Sequence, residues 1–181
     1  MKDNLTKTSK FLSLVLRHKP EEIGINLDTA GWVSVAKLLD GCNKHGVAIT
    51  LELLETVVAT SDKKRFAFSE DKSMIRANQG HSVEVDLGYQ TQEPPEFLYH
   101  GTAERFISSI METGLVKRDR HHVHLSRDIE TAAKVGQRHG KPVVLIVKSG
   151  LMHNQGLEFF VSGNGVWLTE AVSPIYIEIA D

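Results

Sequence analysis

The sequence has little of what stabilises or anchors proteins outside a reducing compartment. It contains a single cysteine, Cys42, among 181 residues, so neither an internal disulfide nor a thiolate cluster for a metal can form. No apolar run approaches the ~20 residues that a membrane-spanning helix needs, and the N-terminal residues do not resemble a signal peptide. These absences predict a cytoplasmic setting with no membrane partner, and they make helix packing the expected role of Cys42.

Several enzyme classes are also disfavoured by missing motifs. The chain has no G-x-G-x-x-G fingerprint, no P-loop, no H-E-x-x-H and no G-x-S-x-G, which argues against Rossmann dehydrogenases, P-loop NTPases, zincins and α/β-hydrolases. The formal net charge is only -2, so the whole surface is not built to attract a polyanion. A nucleic-acid partner would have to be met by a local basic patch.

The first 80 residues combine helical patterns with a hairpin pattern. Apolar spacing predicts three helices, the third capped by Thr50, and a turn rich in Asp, Thr and Gly predicts a short extended pair. A polar turn between two apolar runs predicts a hairpin. The ranges are helices 6–18, 35–44 and 51–59, extended segments 25–27 and 32–34, and hairpin strands 65–68 and 74–77. Helices followed by a hairpin is the order of a winged helix.

The rest of the chain predicts a linker over 81–96 and a second, mixed β lobe over 97–181. Gly88, Pro94 and Pro95 mark the linker, and Gly80 stands just before it. The apolar, β-branched run Val143–Val147 predicts a central strand. Further strands are expected at 97–100, 122–125, 159–161, 166–168 and 175–179, with helices at 103–112 and 128–138. The fold class is therefore α+β.

One helix end carries an unusual group of cations. The apolar run 11–16 ends in Arg17, His18 and Lys19, and Pro20 stops the helix. Cations at a helix C-terminus complement the helix dipole by about 0.3–1 kcal/mol, which is one explanation. The other is an anion site, because Arg binds phosphate through a planar fork and His titrates near neutral pH.

Three more segments are rich in polar and basic residues: Lys63–Arg65, Tyr99–Thr102 and Arg120–Ser126. Each also has an ordinary structural explanation as a solvated loop, a satisfied core histidine or a surface charge. His122 and His124 lie two apart in a predicted strand and share a face, but the local sequence supplies no third ligand. The sequence therefore predicts no metal site there.

These segments carry a family resemblance along essentially the whole chain. The sequence resembles KptA-type RNA 2′-phosphotransferases at Ser9–Leu12, Leu16–Pro20, Gly31–Trp32, Asp62–Phe66, Ala77–Ser82, Leu98–Thr102, His122–Ser126 and Asn164–Leu168. The resemblance implies an N-terminal winged-helix lobe that binds RNA, followed by an ADP-ribosyltransferase-like lobe that binds NAD.

The resemblance also implies a reaction and its residues. An internal RNA 2′-phosphate attacks NAD at C1″ and releases nicotinamide; the ribose 2″-hydroxyl then attacks the new phosphodiester. The products are 2′-hydroxyl RNA and ADP-ribose 1″,2″-cyclic phosphate, as in tRNA splicing and RNA repair. The catalytic quartet falls on Arg17, His18, Arg65 and Arg120. The residues expected to bind NAD, which is consumed as co-substrate, are His100, Gly101, Thr102, His124, Ser126 and Val166.

The chemistry of this reaction suits such residues. A phosphomonoester carries about -1.5 to -2 charge at pH 7 and needs fixed cations, but it needs no general base to act as a nucleophile. This agrees with the apolar Val166, where many ADP-ribosyltransferases carry a Glu. His18 is the candidate for proton transfer in the second step. Contacts to the RNA backbone are expected from Lys10, Lys19, Lys63 and Lys64.

Two other functions use the same features differently. A mono-ADP-ribosyltransferase acting on a protein or on a terminal nucleic-acid phosphate would share the NAD lobe. A winged-helix DNA-binding regulator would need a basic recognition helix, whereas the third helix is acidic and apolar.

The expected assembly is a monomer that acts on a tRNA-like RNA, with no metal.

Overall fold

The computed structural model describes residues 2–61 and 63–180, of an α+β protein with two compact units, Met1–Gly88 and Tyr89–Asp181. Asp62, which belongs to one of the segments that carry the resemblance, lies outside the described residues. No described helix is both long enough and apolar enough to cross a membrane.

Three helices of the first unit pack around one apolar core. They are α1 (Lys2–Arg17), α2 (Val35–Lys44) and α3 (Leu51–Ala59), with a short 3-10 helix at Pro20–Ile23. The predicted cap is confirmed, since the Thr50 hydroxyl accepts a hydrogen bond from the Leu53 N–H at 3.2 Å. Cys42 is fully buried in the core on α2, as expected, and burial raises the pKa of its thiol to about 11.

The first unit also contains one antiparallel sheet of three strands. They are β1 (Val33–Ser34), β2 (Phe66–Phe68) and β3 (Met74–Ala77), in the order β1-β3-β2. The predicted hairpin is confirmed, but the predicted pairing of 25–27 with 32–34 is wrong, because β1 pairs with β3.

Local hydrogen bonds explain this difference. The Ile25 N–H donates to the Pro20 carbonyl at 3.2 Å. The Asp28 carboxylate accepts from the backbone N–H groups of Ala30 and Trp32 at 2.9 and 2.8 Å. Two donors of these segments, the N–H groups of Ile25 and Trp32, are thus used by Pro20 and by the Asp28 side chain, and Ile25 packs into the core.

The predicted linker 81–96 is divided between the two units by its own hydrogen bonds. In the first unit, the Asp86 N–H donates to the Thr29 carbonyl at 2.7 Å. In the second, the Gln92 N–H donates to the Phe159 carbonyl at 2.8 Å. Its backbone is therefore ordered by pairing on both sides of the boundary, although its Gly and Pro content is typical of a loop.

The second unit is built from short strands and three helices. The strands are β4 (Leu98–Ala103), β5 (Leu115–Val116), β6 (Val123–Leu125), β7 (Pro142–Val147), β8 (Phe159–Val161), β9 (Trp167–Thr169), β10 (Ala171–Val172) and β11 (Ile177–Ile179). Two three-stranded antiparallel sheets have the orders β11-β7-β4 and β6-β9-β8, and β5 pairs with β10. The helices are α4 (Ile107–Thr113), α5 (Ile129–Gly136) and α6 (Ser149–Asn154).

The central position of β7 is confirmed, while several boundaries differ from the prediction. β4 continues to Ala103, so the predicted helix 103–112 is replaced by a 3-10 turn at Glu104–Phe106 and then α4. The backbone of β4 is held in the sheet by six paired positions with β7, and this tertiary pairing outweighs the local helical pattern. The predicted strand 175–179 is likewise reduced to β11, preceded by a 3-10 turn at Pro174–Tyr176.

Glycines allow α5 to lie directly on β4. A Cβ atom on Gly101 would stand 1.7 Å from the Ala132 carbonyl oxygen, and one on Gly136 would stand 2.6 Å from the Thr102 carbonyl oxygen. Both distances are far inside van der Waals contact with backbone atoms. Because strand side chains alternate, His100 and Thr102 belong to the face of β4 opposite to the one that Gly101 presents to α5.

Candidate functional site

The end of α1 is tied to the loop that follows the hairpin. The backbone N–H groups of Ser82 and Val83 both donate to the Arg17 carbonyl, at 2.8 and 3.3 Å. His18 and Lys19 donate their N–H groups to the Leu14 carbonyl at 2.9 Å each. The Arg17 carbonyl is thus satisfied by a loop of the same unit and the Leu14 carbonyl by the two residues that follow the helix, so the backbone of Arg17 and His18 is held in place.

The Arg17 side chain lies against the base of the hairpin. Its Nη2 donates to the Arg65 carbonyl at 3.5 Å, and its guanidinium lies 5.9 Å from the centroid of the Phe66 ring. A Cβ atom on Gly80 would stand 3.5 Å from Arg17 Nη1. The half-buried guanidinium is therefore packed between an aromatic ring and a glycine, which limits the positions it can take.

Arg65 is held by contacts on both sides. Its backbone N–H and its Nη1 both reach the Ser61 hydroxyl at 3.4 Å. Its carbonyl accepts from the Asn78 N–H at 2.9 Å, and the Asn78 side-chain amide donates to the Lys64 carbonyl at 2.6 Å. The first unit therefore places the end of α1, which carries Arg17 and His18, against the base of the hairpin, which carries Arg65. We call this region the cationic corner.

The four predicted RNA-binding lysines, Lys10, Lys19, Lys63 and Lys64, are all exposed in the structure. Lys10 precedes Arg17 by seven residues, so both lie on the same side of α1. Lys19 forms an ion pair with Glu22 at 3.2 Å. Exposed pairs of this kind contribute little and do not prevent Lys19 from contacting a phosphate.

In the second unit, β4 and the end of β6 position the predicted NAD-binding residues. The backbone groups of Tyr99 and Ser126 are hydrogen-bonded in both directions, at 2.9 and 2.7 Å. His100 Nδ1 lies 3.0 Å from the His124 carbonyl oxygen. A carbonyl can only accept, so this contact assigns the proton of neutral His100 to Nδ1 and leaves Nε2 as an acceptor.

Arg120 lies beside the same histidines. Its Nη1 is 3.4 Å from His124 Nδ1, so that nitrogen acts as the acceptor. Burial is the main reason why the pKa of His100 is lowered, and the positive charges of Arg120 and His139 lower it further. His100 is therefore neutral at pH 7, so its Nε2 can accept a hydrogen bond from a hydroxyl group.

The lowered pKa of His100 predicts a pH effect on stability. As pH falls below about 6.5, the unfolded chain takes up a proton that the folded protein resists, so the free energy of unfolding decreases, by at most about 1.4 kcal/mol per pH unit for each such group. His122, whose pKa is lowered mainly by burial, acts in the same direction. We expect the free energy of unfolding, measured by urea denaturation, to decrease less between pH 7 and pH 5 in His100→Gln than in the parent. An equal decrease in both proteins would contradict this.

Val166 directly precedes β9, and His122 directly precedes β6, in the sheet β6-β9-β8. The Val166 N–H donates to the Ser162 hydroxyl at 3.0 Å, just before β9. The His122 ring lies 5.5 Å from the Phe160 ring and 6.2 Å from the Tyr89 ring.

Within residues 2–61 and 63–180 there is no group of three or more His, Cys, Asp or Glu residues that could hold a metal.

Gly101 and Thr102 have clear packing roles in the structure. Gly101 makes room for the backbone of α5, and Thr102 is buried, 6% exposed, within β4. These roles explain the residue types without a ligand. Their contact with NAD stays a prediction, whereas His100, His124, Ser126 and Arg120 are brought together by the contacts above.

Sequence reasoning missed the residues that hold the cationic corner in place. Phe66, Asn78 and Ser82 were included in segments that carry the resemblance, yet no role was predicted for them. The only local signal was Gly80, whose positive φ of 83° marks a special turn before His81 and Ser82. Which side chains this turn meets depends on the tertiary structure.

Comparison with known proteins shows which family the chain is similar to. The family model for "RNA 2'-phosphotransferase, Tpt1 / KptA family" matches residues 3–171. A "Probable RNA 2'-phosphotransferase" of Flavobacterium johnsoniae is 54% identical over 98% of both chains. The "RNA 2'-phosphotransferase" of Escherichia coli K12 is 54% identical over 96% of this chain and 95% of its own. With matches that span nearly the whole sequence, the chain belongs to the Tpt1/KptA family of RNA 2′-phosphotransferases.

Proposed function

We propose that this protein is an NAD-dependent transferase that removes an internal 2′-phosphate from RNA in two steps. The observation that supports this proposal is the contact of the Arg17 side chain with the backbone of Arg65, which joins the end of α1 to the base of the hairpin. The first step would join the RNA 2′-phosphate to C1″ of the nicotinamide ribose and release nicotinamide. The second would release 2′-hydroxyl RNA and ADP-ribose 1″,2″-cyclic phosphate.

The two arginines of the first unit would bind the RNA phosphate. Each hydrogen bond to a charged group contributes roughly 1.5–3 kcal/mol, and an arginine can make two to one phosphate. Because the Arg17 guanidinium is packed against Phe66 and Gly80, little freedom is lost when it binds. Holding the phosphate oxygen in place is the main contribution to the first step, since a phosphate dianion is already nucleophilic.

His18 would move the proton of the second step. The ribose 2″-oxygen forms a bond to phosphorus, and the bond from phosphorus to the RNA 2′-oxygen breaks. One proton leaves the attacking hydroxyl and one reaches the departing 2′-oxygen, so a single histidine can accept the first and donate the second. Arg17, Arg65 and Arg120 would stabilise the negative charge of the transition state.

The second unit offers groups that fit NAD. His100 is held neutral with Nε2 as acceptor, which suits a ribose hydroxyl. His124, Ser126 and Val166 would contribute the rest of the site together with Gly101 and Thr102, and Arg120 would meet the pyrophosphate or the transferred phosphate. NAD supplies the electrophilic ribose carbon and nicotinamide as the leaving group.

The same proposal assigns a type to each unit. The three helices and the β1-β3-β2 sheet support a winged-helix lobe for RNA. The two antiparallel sheets of the second unit support an ADP-ribosyltransferase-like lobe. Contacts of the four exposed lysines with the RNA backbone would weaken as salt concentration rises.

The proposal predicts a specific product. Incubation with NAD and a short RNA that bears one internal 2′-phosphate should yield 2′-hydroxyl RNA and ADP-ribose 1″,2″-cyclic phosphate, detected by mass spectrometry. Chelator should leave the rate unchanged. Plain ADP-ribose as the only product would refute the second step. ADP-ribosylation confined to a terminal phosphate or to protein would favour the mono-ADP-ribosyltransferase. Inhibition by chelator that added zinc reverses would indicate a metal site.

A further inference from the structure

A serine hydroxyl meets the histidine of the cationic corner. His18 Nδ1 lies 2.9 Å from the Ser82 hydroxyl oxygen, although the two residues are 64 positions apart in the chain. Both residues are exposed. In an exposed position, a histidine side chain is usually free to adopt several rotamers, so a specific partner at this distance restricts it.

The backbone already holds Ser82 in place without its hydroxyl. The Ser82 N–H donates to the Arg17 carbonyl at 2.8 Å, and the Val83 N–H donates to the same oxygen. The loop therefore stays anchored at the end of α1 whatever the side chain at position 82. The hydroxyl adds little to the stability of the fold, and its main structural contact is the imidazole.

The contact has a chemical consequence for His18. A neutral imidazole has one N–H and one lone pair, and the partner of one nitrogen decides the role of the other. A serine hydroxyl can accept from Nδ1–H or donate to Nδ1, so the contact is compatible with both tautomers. In the tautomer that donates Nδ1–H to the serine oxygen, Nε2 carries the lone pair that can take a proton. When Nε2 is protonated, Nδ1–H still donates to the same oxygen, so the contact persists through the proton cycle.

We propose that Ser82 is a positioning residue that holds His18 with its proton on Nδ1 and so assigns proton transfer in the second step to Nε2. This inference rests on the proposed function. In that step the ribose 2″-oxygen bonds to phosphorus, the bond to the RNA 2′-oxygen breaks, and Nε2 takes the hydroxyl proton and returns it to the RNA oxygen.

Two variants and a matched control test the proposal kinetically. Ser82→Ala removes the acceptor, and Ser82→Thr keeps a hydroxyl at the same carbon. Ser13→Ala removes a serine hydroxyl whose hydrogen bond lies within α1, to the Ser9 carbonyl at 2.8 Å. In single-turnover reactions we expect Ser82→Ala to slow the second step about tenfold, as the loss of one hydrogen bond implies. The first step should be unchanged, Ser82→Thr should recover most of the rate, and Ser13→Ala should match the parent.

Nitrogen NMR of the histidine ring gives a readout that does not depend on activity. His18 should carry its neutral-state proton on Nδ1 in the parent and become a mixture of tautomers in Ser82→Ala, with the signal assigned by its loss in His18→Gln. A parent His18 protonated on Nε2 would overturn the proposal. A second step at the parental rate in Ser82→Ala, together with a slowed second step in His18→Ala, would also overturn it. If His18→Ala has no selective defect in the second step, the proposed role of His18 fails as well.

Discussion

Arg65→Ala should lower the rate of 2′-phosphate removal by at least about 100-fold, because two charge-assisted hydrogen bonds to phosphate are lost. The fold should survive this change. The side chain contacts Ser61 at 3.4 Å, whereas the bond from Arg17 goes to the Arg65 backbone carbonyl and remains. The measurement is the single-turnover rate with saturating NAD and an RNA bearing one 2′-phosphate.

A matched control separates the Arg65 guanidinium from the general charge of the hairpin. Lys72 lies in the turn at the opposite end of the β2–β3 hairpin and pairs with Glu55 at 3.0 Å. Lys72→Ala removes one positive charge there and should change the rate little. Arg65→Lys should recover only part of the activity, since lysine lacks the planar fork. An Arg65→Ala rate within a few-fold of the parent would exclude Arg65 from the catalytic set.

His18→Ala should give the second largest effect, and one of a different kind. Because the first step needs no general base, it should continue while the second slows by about 10²–10⁴-fold, the range that general acid–base catalysis supplies. RNA carrying an ADP-ribosylated 2′-phosphate should accumulate. Denaturing gel electrophoresis separates this species from substrate and product by its mass and charge.

His45 provides the control for His18. It stands at the C-terminal end of α2, where its Nδ1 contacts the Gly41 carbonyl at 2.9 Å, so it also occupies the end of a helix in the same unit. His45→Ala should leave both steps at the parental rate. If substrate persists in His18→Ala with no accumulated RNA intermediate, His18 acts in the first step as well, or its assignment to the second step is wrong.

Local sequence patterns predicted the elements whose stabilising contacts are local. The Thr50 cap, the β2–β3 hairpin and the apolar strand β7 all follow from neighbouring residues. The pairing of 25–27 failed because the Asp28 side chain competes for the backbone donors of its own loop. The six-residue helix α6 and the two-residue strands β5 and β10 are too short to give a periodic signal.

In the candidate site, too, the sequence indicated the residues but not the contacts that position them. Arg17, His18, Arg65 and Arg120 were singled out by residue type and by the family resemblance. Arg17 meets the backbone of Arg65, 48 positions away. Arg120 meets His124 from only four positions away, but His124 is placed by its carbonyl contact with His100, 24 positions away. No periodicity in the chain encodes these pairs.

By itself, the sequence determined the family, the helix that stops at Pro20, and the supply of arginine and histidine for a phosphate. These follow from local covalent and conformational properties, such as the missing N–H of proline and the fixed charge of guanidinium. Only the tertiary structure decided that Phe66 and Gly80 confine Arg17 and that Ser82 meets His18. Contacts between residues 48 to 64 positions apart depend on how the hairpin and its following loop pack on α1, and that packing is a property of the whole first unit.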